Sequence, residues 1–298
     1  MFKKIKNIFS AEHAQVPVVD VNHRENIWRI YYSSRVDGMS QPKWVDLDSS
    51  TFDIVDRSPS PILELGKPGA FDQAGIMPTC IIEKGDYKLL YYIGWTNRKD
   101  VPYHNSIGLA RSDDGGNTWY KFFAGPIFNT SKDEPGFIGT MCVIPSDSLY
   151  KAWYLSCRDW EEVNGIMESK YTLNYATSLN GIDWSPRGVA IDLEEGEGGL
   201  WQASVIKENG IYKMWFSVRG SRDFRDGESN SYKIHYAESA NGIIWERKGI
   251  AIDRSEHGWD SEMVAYPCIV DKGTHRYAFY NGNKFGKTGI GYAKAKIK

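Results

Sequence analysis

Arginine, carboxylate, amide and tryptophan side chains recur in this chain at matching places, and together they have the chemistry of a sugar site. Positions just past repeated apolar runs carry Arg35, then Trp95 and Asn97, then Arg158, Asp159 and Trp160, then Arg219, then Asn281 and Asn283. Positions just ahead of other apolar runs carry Asp72, Asp260 and Glu262, with Glu134 and Glu197 at corresponding places. Tryptophan faces stack on pyranose rings, while guanidinium, carboxylate and amide groups hold hydroxyls or acidic substituents. Tyr266 joins the substrate-binding candidates. So does His104, as an acid–base group or a ligand of a central cation. A lone histidine is more often structural, and no metal or cofactor signature accompanies it. The bland alternative is that polar ends belong to any repeated β unit and that a pair such as Arg158–Asp159 bridges neighbouring units.

The elements that must position these residues are written several times over. Residues 212–218 (YKMWFSV) form a short apolar and aromatic run suited to a pleated strand. A polar excursion follows, then an alternating run at 233–239, an Asn241-Gly242 hairpin turn and Trp245. Similar passages open at Trp28, Tyr87, Tyr150 and Tyr277, in steps of about 60 residues, and such a period signals a solenoid, propeller or array. Each unit has a leading strand, at 15–21, 75–82, 139–145, 201–206 and 263–270. The expected fold is all-β: a five-bladed β-propeller of four antiparallel strands per blade, filling residues 1–298 as a single domain. The blades are expected at about 14–65, 70–128, 133–193, 197–253 and 258–298. The last has three strands of its own, so part of the N-terminal arm, 1–13, is expected to supply the fourth and close the ring. In a propeller the leading strands line a central channel, so the polar ends converge on one funnel although they are far apart in sequence.

The chain of 298 residues has a net charge of −2, which gives no basic field for nucleic acid or an anionic membrane. No apolar run approaches the roughly 20 residues of a membrane span, and the N-terminus lacks the pattern of a signal peptide. Cys80, Cys142, Cys157 and Cys268 show no metal-ligand spacing, and three of them lie in leading strands as small apolar residues, so a cytoplasmic location is expected. The stretch Ser112 to Trp119 matches an Asp-box, a turn stapled by carboxylate hydrogen bonds with a tryptophan beneath it.

The repeat YKMWFS…IHYAESANGIIW, with leading strands such as WDSEMVAYPCIV, resembles the five-bladed propellers of glycoside hydrolase families 32, 43 and 130 across about 14–296. FDQAGIMP, YYIGW and NGNKFG are similar to stretches of glycosidase-like proteins encoded among bacterial surface-polysaccharide genes. The resemblance implies glycan chemistry by paired carboxylates, one acid and one base or nucleophile. Asp72 with Asp260 or Glu262 is the expected catalytic pair, and Arg35, Arg158 and Arg219 would hold an acidic or phosphorylated sugar. The chain departs from the family 32 pattern where Ala265-Tyr266-Pro267 stands in place of a Glu-Cys-Pro triplet. Three expectations follow: a glycoside hydrolase-like enzyme, a non-catalytic propeller binding a sugar or sugar nucleotide, or a phosphorylase or transferase.

Overall fold

The computed structural model describes residues 2–9, 13–146, 148–225 and 229–297; parts of the expected N-terminal arm and of the polar excursion after 219 lie outside them. The described chain is almost entirely β. After an initial strand β1 (Lys3–Phe9), the strands run as successive antiparallel meanders. The first is β2 (Gln15–Arg24), β3 (Ile27–Val36), β4 (Met39–Asp48) and β5 (Ile54–Arg57). Next come β6 (Gly75–Lys84), β7 (Tyr87–Asn97), β8 (Tyr103–Ser112) and β9 (Tyr120–Lys121). Then β10 (Ile138–Ser146), β11 (Leu149–Val163), β12 (Ile166–Ser178) and β13 (Ser185–Ile191). The fourth is β14 (Glu197–Glu208), β15 (Ile211–Gly220), β16 (Lys233–Ser239) and β17 (Glu246–Ile252). Last are β18 (Ala265–Lys272), β19 (His275–Asn281) and β20 (Ile290–Lys296), with β1 paired antiparallel to β20 at the outer edge.

Two expected loops take other forms. The residues after Cys157 continue β11 to Val163, paired through Val163↔Ile166 with β12, so Arg158, Asp159 and Trp160 sit on a long hairpin arm. The NGNKFG stretch makes one turn, Asn283–Gly286, in which Lys284 and Phe285 take left-handed φ values of 52° and 55°.

The first strand of each meander breaks register at a corresponding place, for example between Pro78 and Cys80 and between Ala265 and Cys268. Val16, Thr140, Gln202 and Tyr266 have positive φ there, an uncommon state for residues with a β-carbon. Such bulges re-aim side chains, and they recur where the first strands meet at the centre. The same strands are stitched to one another by side chains at the next equivalent position. Cys80 Sγ accepts the Val143 N–H at 3.3 Å, Cys142 Sγ that of Val205 at 3.3 Å, Ser204 Oγ that of Ile269 at 2.9 Å, and Cys268 Sγ that of Val19 at 3.4 Å. The four cysteines are free thiols, and three of them serve as acceptors between units.

At the outer rim the turns of the second, third and fourth meanders staple each to the preceding one. The Gly116, Gly181 and Gly242 carbonyls accept from Tyr31 Oη at 3.1 Å, Tyr91 Oη at 2.7 Å and Trp153 Nε1 at 2.8 Å. In the Asp-box, Asp114 accepts from Thr118 N–H at 2.9 Å and Thr118 Oγ1 at 2.7 Å. Slight burial works against its charge, but hydrogen bonds from Thr118, Ser112 and Asn117 hold its pKa down at about 2.

Candidate functional site

A cavity of about 160 Å³ lies where the meanders converge, and every one of them contributes to its wall. The first gives Gln15, Arg35 and Ser40; the second Met77, Trp95, Tyr103 and Asn105; the third Glu168 and Tyr171. Trp201, Arg219, Phe224, Arg225 and Tyr232 come from the fourth, and Tyr266 and Phe285 from the last. The bulged first strands explain Gln15, Met77, Trp201 and Tyr266, which sit at or beside the register breaks.

Arg219 is the most enclosed cation of the wall, 2% exposed. Its Nε donates to Tyr171 Oη at 2.9 Å, its Nη1 to the Gly220 carbonyl at 2.9 Å and its Nη2 to the Ser169 carbonyl. Its guanidinium lies 3.9 Å from the Phe224 ring centroid and 4.9 Å from that of Tyr171. Burial disfavours its charge, yet the Tyr171 and Tyr232 phenols more than offset this and its pKa is raised. Tyr171 in turn hydrogen-bonds Tyr232 Oη. Gly199 makes room for the pair, because a β-carbon there would occupy the space of the Tyr171 ring. Glu168, 8% exposed, accepts from Arg225 Nε at 2.8 Å and Nη2 at 2.7 Å, a fork that uses both carboxylate oxygens. Glu168 is the only carboxylate in the described wall. Asn105 is buried beside it, and its amide has no hydrogen-bond partner among the described residues.

Of the residues singled out in the sequence, Arg35, Trp95, Arg219 and Tyr266 line this cavity. Arg35 is exposed at its edge, 5.9 Å from the Trp95 ring centroid. Trp160 stands behind the wall, packed edge-on to Tyr103 with centroids 5.4 Å apart. His104 turns away because its neighbours Tyr103 and Asn105 face the cavity and successive strand residues point to opposite sides. It pairs with Asn129 Oδ1 at 3.4 Å, and burial keeps its pKa below the usual range. Asn97 lines a separate shallow depression with Met39 and Gln73. Arg158 and Asp159 are exposed on the hairpin arm.

The amides of Asn281 and Asn283 are spent on the backbone. Asn281 Oδ1 accepts from Val16 N–H at 3.4 Å, and Asn283 Oδ1 from Glu262 N–H at 2.8 Å and Met263 N–H at 3.1 Å. Glu262 is half-buried beside that turn, outside the cavity wall, and its carboxylate has no partner among the described residues.

Asp72 and Asp260 are placed apart from the cavity wall. Asp72 is 1% exposed; its Oδ2 lies 2.6 Å from Lys121 Nζ and accepts from Tyr92 Oη at 3.3 Å. Asp260 repeats this with Lys4 Nζ at 2.8 Å and Tyr280 Oη at 2.9 Å. Glu134 takes the same place in its unit, accepting from Tyr154 Oη at 2.9 Å and Asn174 Nδ2 at 2.6 Å. Burial and the adjoining carboxylate push the Tyr92, Tyr154 and Tyr280 phenols up. These carboxylates clasp the approach to a first strand onto the second strand and a more outer one. Sequence reasoning missed Glu168, Tyr171, Trp201, Arg225 and Tyr232. The Trp201 of the leading strand WQASVI was the one available signal.

No family model matches the chain. A solved BT0996 RGII complex superposes with a TM-score of 0.76 at 15% identity, covering 99% of this chain and 91% of that one. A solved glycoside hydrolase superposes with a TM-score of 0.75 at 15% identity, covering 100% and 93%. The fold is that of the glycoside hydrolase-like β-propeller proteins. Over 295 residues the chain is 34% identical to the uncharacterized protein MT1551 of Mycobacterium tuberculosis (strain CDC 1551 / Oshkosh), covering 96% of this chain and 93% of that protein. The chain belongs to the same family as that protein. A shorter match, 37% identity over 84 residues and 27% of each chain, is to the 1,2-beta-oligomannan phosphorylase of Thermoanaerobacter sp. (strain X514).

Proposed function

We propose that this protein is a sugar-processing enzyme, a five-bladed propeller with β1 completing the last blade, that acts at the central cavity by one-carboxylate chemistry. The observation that carries this reading is the wall itself: aromatic faces, three guanidinium groups and, among the described residues, the single carboxylate of Glu168. Two-carboxylate hydrolysis needs a second carboxyl about 5–10 Å from the first across the scissile bond. Asp72 and Asp260 are committed to Lys121 and Lys4 instead. Transfer of a glycosyl group to phosphate, or to another acceptor that is itself a nucleophile, needs no residue to activate water. Glu168 is then the proton-transfer group, and the short match to an oligomannan phosphorylase favours this choice.

The bidentate hold of Arg225 on Glu168 supports a second reading, a binding propeller without turnover. The deciding experiment incubates the protein with a panel of oligosaccharides, with and without inorganic phosphate, and follows products by NMR. Products that need phosphate or an acceptor support transfer. Products formed equally well in water alone sink the one-carboxylate assignment. Saturable binding without products selects the second reading.

A further inference from the structure

We propose that the sugar taken by the central cavity is itself anionic, its phosphoryl or carboxyl group meeting Arg219. This deepens the reading of the cavity as a sugar site and rests on it.

Arg219 is 2% exposed and has no carboxylate within ion-pairing distance among the described residues. Three of its N–H groups are bonded to a phenol and two carbonyls, whereas a guanidinium has five donors. A buried charge without a counter-charge is costly, and among the described residues only phenols, carbonyls and ring faces are set against this one. Glu168, the carboxylate of the described wall, is bonded through both oxygens to Arg225 and makes no ion pair with Arg219. With Arg35 at the edge, the described wall carries three positive groups against one negative.

The rest of the wall argues against a bare inorganic anion. Trp95, Trp201, Tyr266 and Phe285 line the same cavity with apolar faces that a free phosphate would leave unfilled. A neutral sugar would fill those faces and leave Arg219 without a counter-charge. A ring that carries its own oxyanion satisfies both. The cavity of about 160 Å³ is below the usual 300–1,000 Å³ of drug-sized pockets, so it suits one such ring better than a whole nucleotide.

The test is isothermal titration of the full-length protein with mannose, mannose 1-phosphate, mannose 6-phosphate, glucuronic acid and inorganic phosphate. At least one anionic sugar should bind about tenfold or more tightly than both the neutral sugar and inorganic phosphate, as charge-assisted hydrogen bonds imply. The phosphate and uronate arms tell which oxyanion is read. In R219K the advantage of the anionic sugar over the neutral one should fall about tenfold. If R219K fails to fold, the comparison of ligands on the unaltered protein still decides. Equal binding of neutral and anionic sugars, or of inorganic phosphate alone, overturns the inference. Turnover of a neutral glycan without any anion preference would leave the proposed function standing while this inference falls. If the unaltered protein binds no sugar of either charge, both fail.

Discussion

Lys4 Nζ stands 2.8 Å from Asp260 Oδ2, joining the first strand of the fold to the approach of the last meander. Lys121 Nζ stands 2.6 Å from Asp72 Oδ2 in the same relation. Both carboxylates are buried while both lysines are partly exposed, so removing the negative charge strands a half-shielded cation and a tyrosine hydroxyl. Asp72→Asn and Asp260→Asn should each lower unfolding stability by about 3 kcal/mol, the usual loss when one partner of a buried pair is removed. Ligand affinity at subdenaturing temperature should stay within about twofold. Denaturant titration and calorimetry on the same samples check both halves. Lost turnover at full stability would return these residues to the active site.

Asn105 and Asn283 make a contrasting pair. Asn105 is buried against the cavity with an amide that has no partner among the described residues, whereas Asn283 bonds Glu262, Met263, Gly258 and Ser261. Asn105→Ala should weaken sugar binding about tenfold with little change in melting temperature. Asn283→Ala should cost about 2 kcal/mol of stability by freeing buried backbone N–H groups. Titration calorimetry and thermal melts separate the two.

Glu168→Gln keeps the shape of the cavity wall and removes its carboxylate. Turnover should fall by about 100-fold or more, the usual contribution of a positioned acid–base group, while sugar affinity is retained. Progress curves with the sugar that the panel identifies measure this directly. An unimpaired Glu168→Gln protein would move the chemistry elsewhere.

His235, on β16, has its pKa lowered to about 4, chiefly by burial and then by Arg247. In the unfolded chain it titrates near 6.5, so between about 6.5 and 4 the unfolded state binds the extra proton and the folded state does not. This contribution to stability is therefore fully present above pH 6.5 and shrinks as pH falls towards 4. His235→Gln should flatten the decline of melting temperature across that window and leave the slope above pH 7 unchanged. Melts taken at half-unit pH steps check the sign.

The strands were the most legible part of the chain. Runs such as 87–93 and 212–218 are apolar because they are sandwiched between neighbouring sheets, and the repeat placed the first strands by itself. The cavity was less legible, for three physical reasons. Bulges at Thr140, Gln202 and Tyr266 change which residue faces inward, and strict alternation does not anticipate them. β11 and β12 continue as a paired arm through residues that read as a polar loop, and this brings Glu168 and Tyr171 to the wall. Finally, a carboxylate ahead of a strand looks the same in sequence whether it meets a substrate or a lysine. Asp72 shows the ambiguity: its partner Lys121 sits on the outermost strand of the same unit, in a two-residue β9 with no strand signature of its own.

The pairing of β1 with β20 also imposes an order in time. During synthesis Lys3–Phe9 leaves the ribosome before every other strand of the fold, yet the strand it pairs with, Ile290–Lys296, is made after all of them. The intervening meanders can form by local hairpin pairing as they emerge, but β1 and the edge of β20 must wait for each other. Until β20 emerges, the nascent chain therefore carries an unpaired strand ahead of its first meander. That strand is where a chaperone or a second nascent copy would compete with β20.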